Sequence, residues 1–426
     1  ESLPPLCSAV ILVKRRFEEL PKIVLTWPES FSFGDEEQEF KATVNIFFGD
    51  NLSNIFLCNT TSFSCVSLNF VYNTITYSLV VVTTYPFYHF FKHMFKFEND
   101  HSISTPINRF YFLVTAIAAI PIASSNTCLS SQDLAQSHIS PTLYTKYIPV
   151  DPTITVTFPS KEFDYTFSYN TFMLKDFDPT IYFSPIECND LFKALFTNEP
   201  VLILTNDPLS RSSAALSAAS LLSPLEFTDK MCLWLTETDP RFLSVINGES
   251  NLLLAATNSE SLMVATDHFK HVFRLNPMRY PKNTPHLRQI YLKMRRSLIL
   301  SNFVFERIIQ EQDPYYDLIK GPVCTDQFAE TLQTYPDIEL PTMEDFSCFQ
   351  TLNSFISWRS KRKSDKAFRD GLLNIDPEYV FKSKTKEQIQ LIYSELENLF
   401  QEYANDLHVI AVLKKHRKIA KRLLSQ

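Results

Sequence analysis

Glycine is nearly missing. The 426 residues hold five: Gly34, Gly49, Gly248, Gly321 and Gly371, the closest pair fifteen positions apart. That is about 1% of the chain, where about 7% is usual. Phosphate-cradling loops need several glycines close together so that backbone N–H groups can approach the ligand. The P-loop, the dinucleotide-binding turn and the kinase loop are therefore excluded, as is the glycine-flanked serine of the esterase elbow.

Other shortages narrow the class further. No Cys-x-x-Cys pair occurs among the eight cysteines (Cys7, Cys58, Cys65, Cys128, Cys188, Cys232, Cys324, Cys348). The closest, Cys58 and Cys65, lack zinc-ligand spacing, and scattered thiols in a long chain predict reduced, buried side chains in the cytosol. The apolar runs Tyr77–Phe91 and Phe110–Ala123 are too short for a span and are interrupted by Pro86 and Pro121. The sequence starts at Glu1, so a removed leader stays open; no retained signal segment is expected. A net charge of -7 and mean hydropathy of -0.08 argue against a generally basic nucleic-acid binder and for an ordinary globular chain of two or three domains.

What is abundant is aromatic core material, with 37 Phe. Residues Ser8–Pro28 read as two β-rich runs around a charged turn, with further strands expected at Ala42–Phe48, Ile55–Leu57, Phe63–Phe70 and Thr76–Thr84. A helix after Pro86 groups Phe87, Phe90, Phe91 and Met94 on one face, and another is expected over Pro106–Ile120. This is an α+β pattern. Residues 124–186 form a Ser/Thr/Pro-rich linker with extended segments, including Thr153–Phe158. From Glu187 the pattern becomes α/β: helix Glu187–Phe196, strand PVLILTND, helix Leu209–Leu222, strand MCLWLTE, strand LLLAATN and helix Glu260–His271. Continuous apolar strands alternating with helices predict a buried parallel sheet. Residues 285–426 read as helical, including Leu287–Gln310, Thr325–Leu332, Asp345–Trp358 and Lys384–Leu424. The expected domains are thus 1–123, the linker 124–186, the α/β core 187–284 and the helical region 285–426.

Few residues suggest chemistry. His89 and His93 have the i, i+4 spacing of zinc ligands, but Phe90, Phe91 and Lys92 lie between them and the lysine would repel a cation. His268 and His271 carry the same discount. The serines of Leu209–Ser223 lack a positioned base and read as small residues that let a helix pack closely on a sheet. Asp207 before Pro208 forms a helix start where a strand ends; a cap alone and a cap with a partner contact both remain open. Basic residues gather late, in Trp358–Lys363 and along Lys414, Lys415, Arg417, Lys418, Lys421 and Arg422. With Val409, Ile410, Leu413, Leu423 and Leu424 the tail forms a basic amphipathic helix that suits an anionic membrane or acidic partner, or a solvated helix end.

Several strings occur in an order that resembles a known family. YSLVVVTTYPFYHFFKHMF (Tyr77–Phe95) resembles the end of the upstream DENN module, and NEPVLILTNDPLSRSSAALSAASLLSPLEF (Asn198–Phe227) the central DENN core. LLLAATNSE (Leu252–Glu260) is similar to the following strand, and LRQIYLKMRRSLILSNFVFERII (Leu287–Ile309) to the downstream helical module. The P-x-x-H-F-F helix, the SLIL…ERI helix and WRSKRK resemble most the DENN domain-containing protein 6 subfamily. Ala256, where relatives often have Gly, and the linker depart from the pattern.

The resemblance implies a bilobed DENN module: a longin-like N-terminal lobe, an α/β C-terminal lobe and trailing helices. It further implies guanine-nucleotide exchange on a Rab GTPase docked between the lobes, in the cytoplasm and peripherally recruited to endosomal or other trafficking membranes. A non-exchanging Rab effector or trafficking scaffold of the same fold is the alternative. No cofactor, metal, nucleic acid or covalent catalytic residue is expected. From strand-end position, the Rab-contact candidates are Asn206, Asp207, Arg211, Asp239, Arg241, Asn258 and Glu260.

Overall fold

The computed structural model describes residues 7–16, 19–44, 54–83, 91–92, 94–95, 105–118, 153–157, 164–168, 177–222, 227, 230–259, 262, 267–275, 314–315, 356, 369, 372–373, 376–382 and 384–426. His89, His93, Glu260, the 358–363 basic segment and the helices expected between 285 and 355 lie outside them. Described residues up to 275 belong to one compact unit, and those from 314 onward to a second.

The first unit opens with β1 (Ala9–Arg15), β2 (Lys22–Trp27), α1 (Glu37–Val44), β3 (Asn54–Asn59), β4 (Ser64–Tyr72) and β5 (Ile75–Thr83). The five strands form an antiparallel sheet in the order β2-β1-β5-β4-β3. Helix α2 (Pro106–Ala118) packs on β1 and β5 through Phe110, Leu113 and Ile117, the i, i+3, i+7 stripe of an amphipathic helix. Phe91 and Met94, expected on one helical face, are both helical and buried.

One expectation fails in this sheet. Ala42, Thr43 and Val44 are not a strand; they are the last turn of α1. The β-branched Thr43 and Val44 favoured a strand locally, and tertiary packing overrides that preference. Phe40 stacks on Phe33 with ring centroids 4.2 Å apart, and Glu37 pairs with Lys41 one turn on.

A two-stranded antiparallel hairpin follows, β6 (Thr153–Thr157) with β7 (Asp164–Ser168). Helix α3 (Pro185–Phe196) starts two residues before its expected first residue because Ser184 caps it. Ser184 and Glu187 form a reciprocal capping box, and proline is tolerated at the first helical position.

The second sheet comprises β8 (Val201–Leu204), β9 (Met231–Cys232), β10 (Leu254–Thr257) and β11 (His271–Arg274), separated by α4 (Pro208–Ala219) and α5 (Pro240–Ile246). Its order is β11-β8-β10-β9 and every pairing is parallel. Leu202, Leu204 and Ala255 pack with Phe242 and Val245 of α5 on one face. Alternation turns Ile203 and Ala256 the other way, toward the side covered by α3 and α4. Ala214, Ala215, Ala218 and Ala219 are all buried, so the small side chains of α4 do allow close packing on the sheet.

Two further expectations change here. MCLWLTE contributes only two paired residues, because β9 is a short edge strand. Residues 260–271 do not run as one helix to His271: Asp267–Lys270 is a loop and His271 begins β11. Backbone pairing with β8 wins over helical spacing in that stretch.

In the second unit, α6 (Pro377–Lys382), α7 (Lys386–Glu402) and α8 (Leu407–Leu424) replace the single expected helix from Lys384. Ile389, Ile392, Leu396 and Leu399 of α7 share a core with Val409, Leu413 and Ala420 of α8. Thr385 and Asp406 cap the two helices, which explains the break between them. Among the described residues, no helix is long and apolar enough to cross a membrane.

Candidate functional site

The parallel strands end in loops built by one device. Thr205 follows β8, and its Oγ1 accepts the Asp207 N–H at 3.2 Å. Thr257 closes β10, and its Oγ1 accepts the Ser259 N–H at 3.0 Å while donating to the Leu235 carbonyl at 2.6 Å. Both are hydroxyl turns of the kind that threonine forms with the backbone two residues on. The strings are LTND and ATNS, so the same Thr-Asn pair marks both strand ends in the sequence. Asn206 and Asn258 stand exposed after adjacent strands. Ser259 Oγ donates to Glu237 at 2.9 Å, which ties the loop after β9 to the same rim.

Beside this rim lies a buried polar seam between the two sheets. Asn59, at the end of edge strand β3, donates from Nδ2 to the Met231 carbonyl at 2.6 Å and accepts the Leu233 N–H at 2.8 Å. Its own carbonyl accepts from Arg241 at 3.0 Å. Arg241 in turn donates through Nε and a terminal nitrogen to the two oxygens of Asp239, at 3.0 and 2.7 Å. Asp239 is the N-cap of α5 and is 1% exposed. Glu39 of α1 lies 3.6 Å from Arg241 Nε and accepts from Thr61, while Glu36 accepts from Ser62. Burial opposes ionisation of Glu36, but hydrogen bonds from Ser62 and Thr60 outweigh it and hold the carboxyl below its ordinary value.

The seven sequence candidates therefore divide. Asn206 and Asn258 are exposed, and Asp207 is half-buried. Asp239 and Arg241 are buried in the seam with their charges turned on each other, so they serve the internal joint and not an open surface. Arg211 is also buried, with its guanidinium 4.3 Å from the centre of the Trp234 ring. Asn59, absent from the candidate set, organises the joint; its partners are more than 170 residues away, so no local signal marks it.

Among the described residues, Cys65 and Cys232 are poor nucleophiles. Cys58 and Cys65 are cross-strand neighbours, and the Cys58 contact, together with burial, raises the Cys65 thiol well above its ordinary value. Burial pushes Cys232 up to about 12. His268 contacts the Leu252 carbonyl at 2.9 Å and His271 contacts Glu199 at 2.6 Å. Among the described residues, no three His, Cys, Asp or Glu converge as metal ligands.

In the second unit the tail cations Lys414, Lys415, Lys418 and Lys421 are exposed on α8. Arg417 pairs with Glu397 at 2.7 Å and Arg422 with Glu378 at 3.2 Å. The opposite, apolar face of α8 is used in its own core. Compared with known proteins, the chain matches no protein-family model and no curated protein sequence.

Proposed function

We propose that this chain is a DENN-type exchange factor that promotes GDP release from a Rab GTPase. The observation that carries the reading is the joining of two sheets in one unit. An antiparallel sheet meets a parallel α/β sheet through Asn59, beside a rim of exposed strand-end loops. That arrangement supports a longin-like lobe followed by a central α/β lobe, in the order the sequence strings suggest. Loops at the carboxyl ends of parallel strands are where α/β sheets receive ligands.

Exchange needs no nucleophile. The work is differential binding: a surface that prefers the nucleotide-free GTPase weakens the hold on nucleotide, and nucleotide must weaken the exchanger in return. Asn206, Asp207 and Asn258 are the contact residues in this reading. The exposed lysines of α8 would add electrostatic attraction to an anionic trafficking membrane; the buried apolar face makes this a surface contact and not an inserted helix.

The test is release of fluorescent GDP from a panel of Rab GTPases. One Rab is expected to lose nucleotide faster with the full chain, and Asp207→Lys is expected to reduce that rate with folding unchanged. If a Rab is retained by the chain but none releases GDP, the effector reading replaces exchange. If none is retained, both fail.

A further inference from the structure

Arg211 is the rim's anomaly. It is 2% exposed, yet its side chain makes no hydrogen bond with the described residues. Nε is fully buried and has no hydrogen-bond partner. Burying a guanidinium without acceptors is costly, and native chains rarely leave such a group incomplete. Burial pushes its pKa down to about 10 even though Asp207, four residues earlier, opposes that fall. The group stays a cation, placed but unsatisfied.

Its surroundings hold it in position. Arg211 is the fourth residue of α4, and a helical side chain leans toward the helix N-terminus, here the strand-end rim. The guanidinium carbon lies over the Trp234 ring, 4.3 Å from its centre, and Phe56 of β3 packs edge-on against Trp234 at 6.0 Å. A guanidinium held over an aromatic face can still use its N–H groups for a planar acceptor, which it meets in fork geometry.

We propose that Arg211 is a receptor for a carboxylate supplied from outside the chain. Carboxylate is favoured over phosphate by charge. Asp207 and Glu237 already place negative charge at the rim, so a singly charged planar anion fits where a dianion is repelled. The proposal is independent of exchange activity, since any acidic peptide or small organic acid has the chemistry required.

The experiment uses the full chain, with acetate as probe against chloride at matched ionic strength. The readouts are the thermal midpoint and the arginine Nε–Hε NMR signals. Acetate is expected to raise the midpoint of the wild-type chain and to shift, saturably, one Nε–Hε signal that Arg211→Met lacks. Without acetate, Arg211→Met is expected to melt at the same temperature or higher, because it removes an unbonded buried charge. Arg211→Lys keeps the charge but not the fork and is expected to lose the acetate response. The proposal is overturned if wild type responds to acetate no more than to chloride, or if inorganic phosphate acts more strongly than acetate. Retention of the acetate response in Arg211→Lys overturns it too.

Discussion

Thr74 shows the cost of having almost no glycine. Asn73 and Thr74 turn the chain from β4 to β5 with φ of 49° and 63°, the left-handed region that suits Asn-Gly. A β-branched residue is strained there. Thr74→Gly is expected to stabilise the chain by about 0.5–1 kcal/mol, read as a higher denaturation midpoint; a lower midpoint would mean that Thr74 carries no strain. The same substitution of roles appears at helix ends. After α5, Gly248 takes φ 72° and Glu249 N–H bonds the Ser244 carbonyl. After α3, Asn198 takes φ 60° and Glu199 N–H bonds the Ala194 carbonyl in the same motif. Asparagine does the work of glycine in one of two like positions.

His416 is the residue that should make stability depend on pH. It is fully buried, its Nδ1 lies 2.7 Å from Tyr315 Oη, and burial pushes its pKa down to about 4 against the weak opposing pull of Asp376. The unfolded chain therefore binds this proton first as pH falls. Stability should be intact above about 6.5 and decline as pH drops toward 4, by about 2–3 kcal/mol for this group. The second unit should melt at lower temperature at pH 4.5 than at pH 7.5. His416→Gln, which can still bond Tyr315 but does not titrate, should flatten that difference; an unchanged pH profile would remove His416 as the cause.

At the scale of elements, the joint between the two sheets rests on three side chains. Asn59→Ala removes two short bonds to the backbone of Met231 and Leu233, so a loss of about 2–3 kcal/mol is expected. Arg241→Met leaves Asp239 buried without its partner and should cost about 3–5 kcal/mol. Because Arg241 also bonds the Asn59 carbonyl, the double variant should lose less than the two losses added. Urea unfolding of the four proteins checks this, and strict additivity would mean that the residues act separately. Elements with clear patterns were legible in advance: β1, β2, β4, β5, β8 and β10, and helices α2, α3 and α4. Elements decided by packing were not. In α1, the rings of Phe33 and Phe40 outweigh a β-branched ending, and in β11 pairing with β8 outweighs helical spacing.

For the whole molecule, the proposed exchange activity depends on a rim, not on a reactive cluster. The same rim contains internal structure that linear spacing could not separate from contact residues. Asp239 and Arg241 looked like strand-end candidates because they follow β9, but their burial gives them to the joint. Asn206 and Asn258 keep the expected exposed position because a Thr turn precedes each. Charge is divided the same way at the far end of the chain. The six tail cations are evident in the sequence and all are exposed, yet Arg417 and Arg422 pair with Glu397 and Glu378 at the surface.

By itself the sequence determined what depends on neighbours along the chain. It specified mixed α and β classes, an all-apolar parallel core and the absence of glycine-built phosphate loops, because periodicity and backbone freedom are local properties. Only the tertiary structure decided which polar groups meet. Asn59 finds Met231 and Leu233, Arg241 finds Asp239 and Asn59, and Arg211 finds an aromatic face but, among the described residues, no acceptor for its Nε. A hydrogen bond or a desolvation cost depends on separation in space, and that separation exists only once the two sheets have closed on each other.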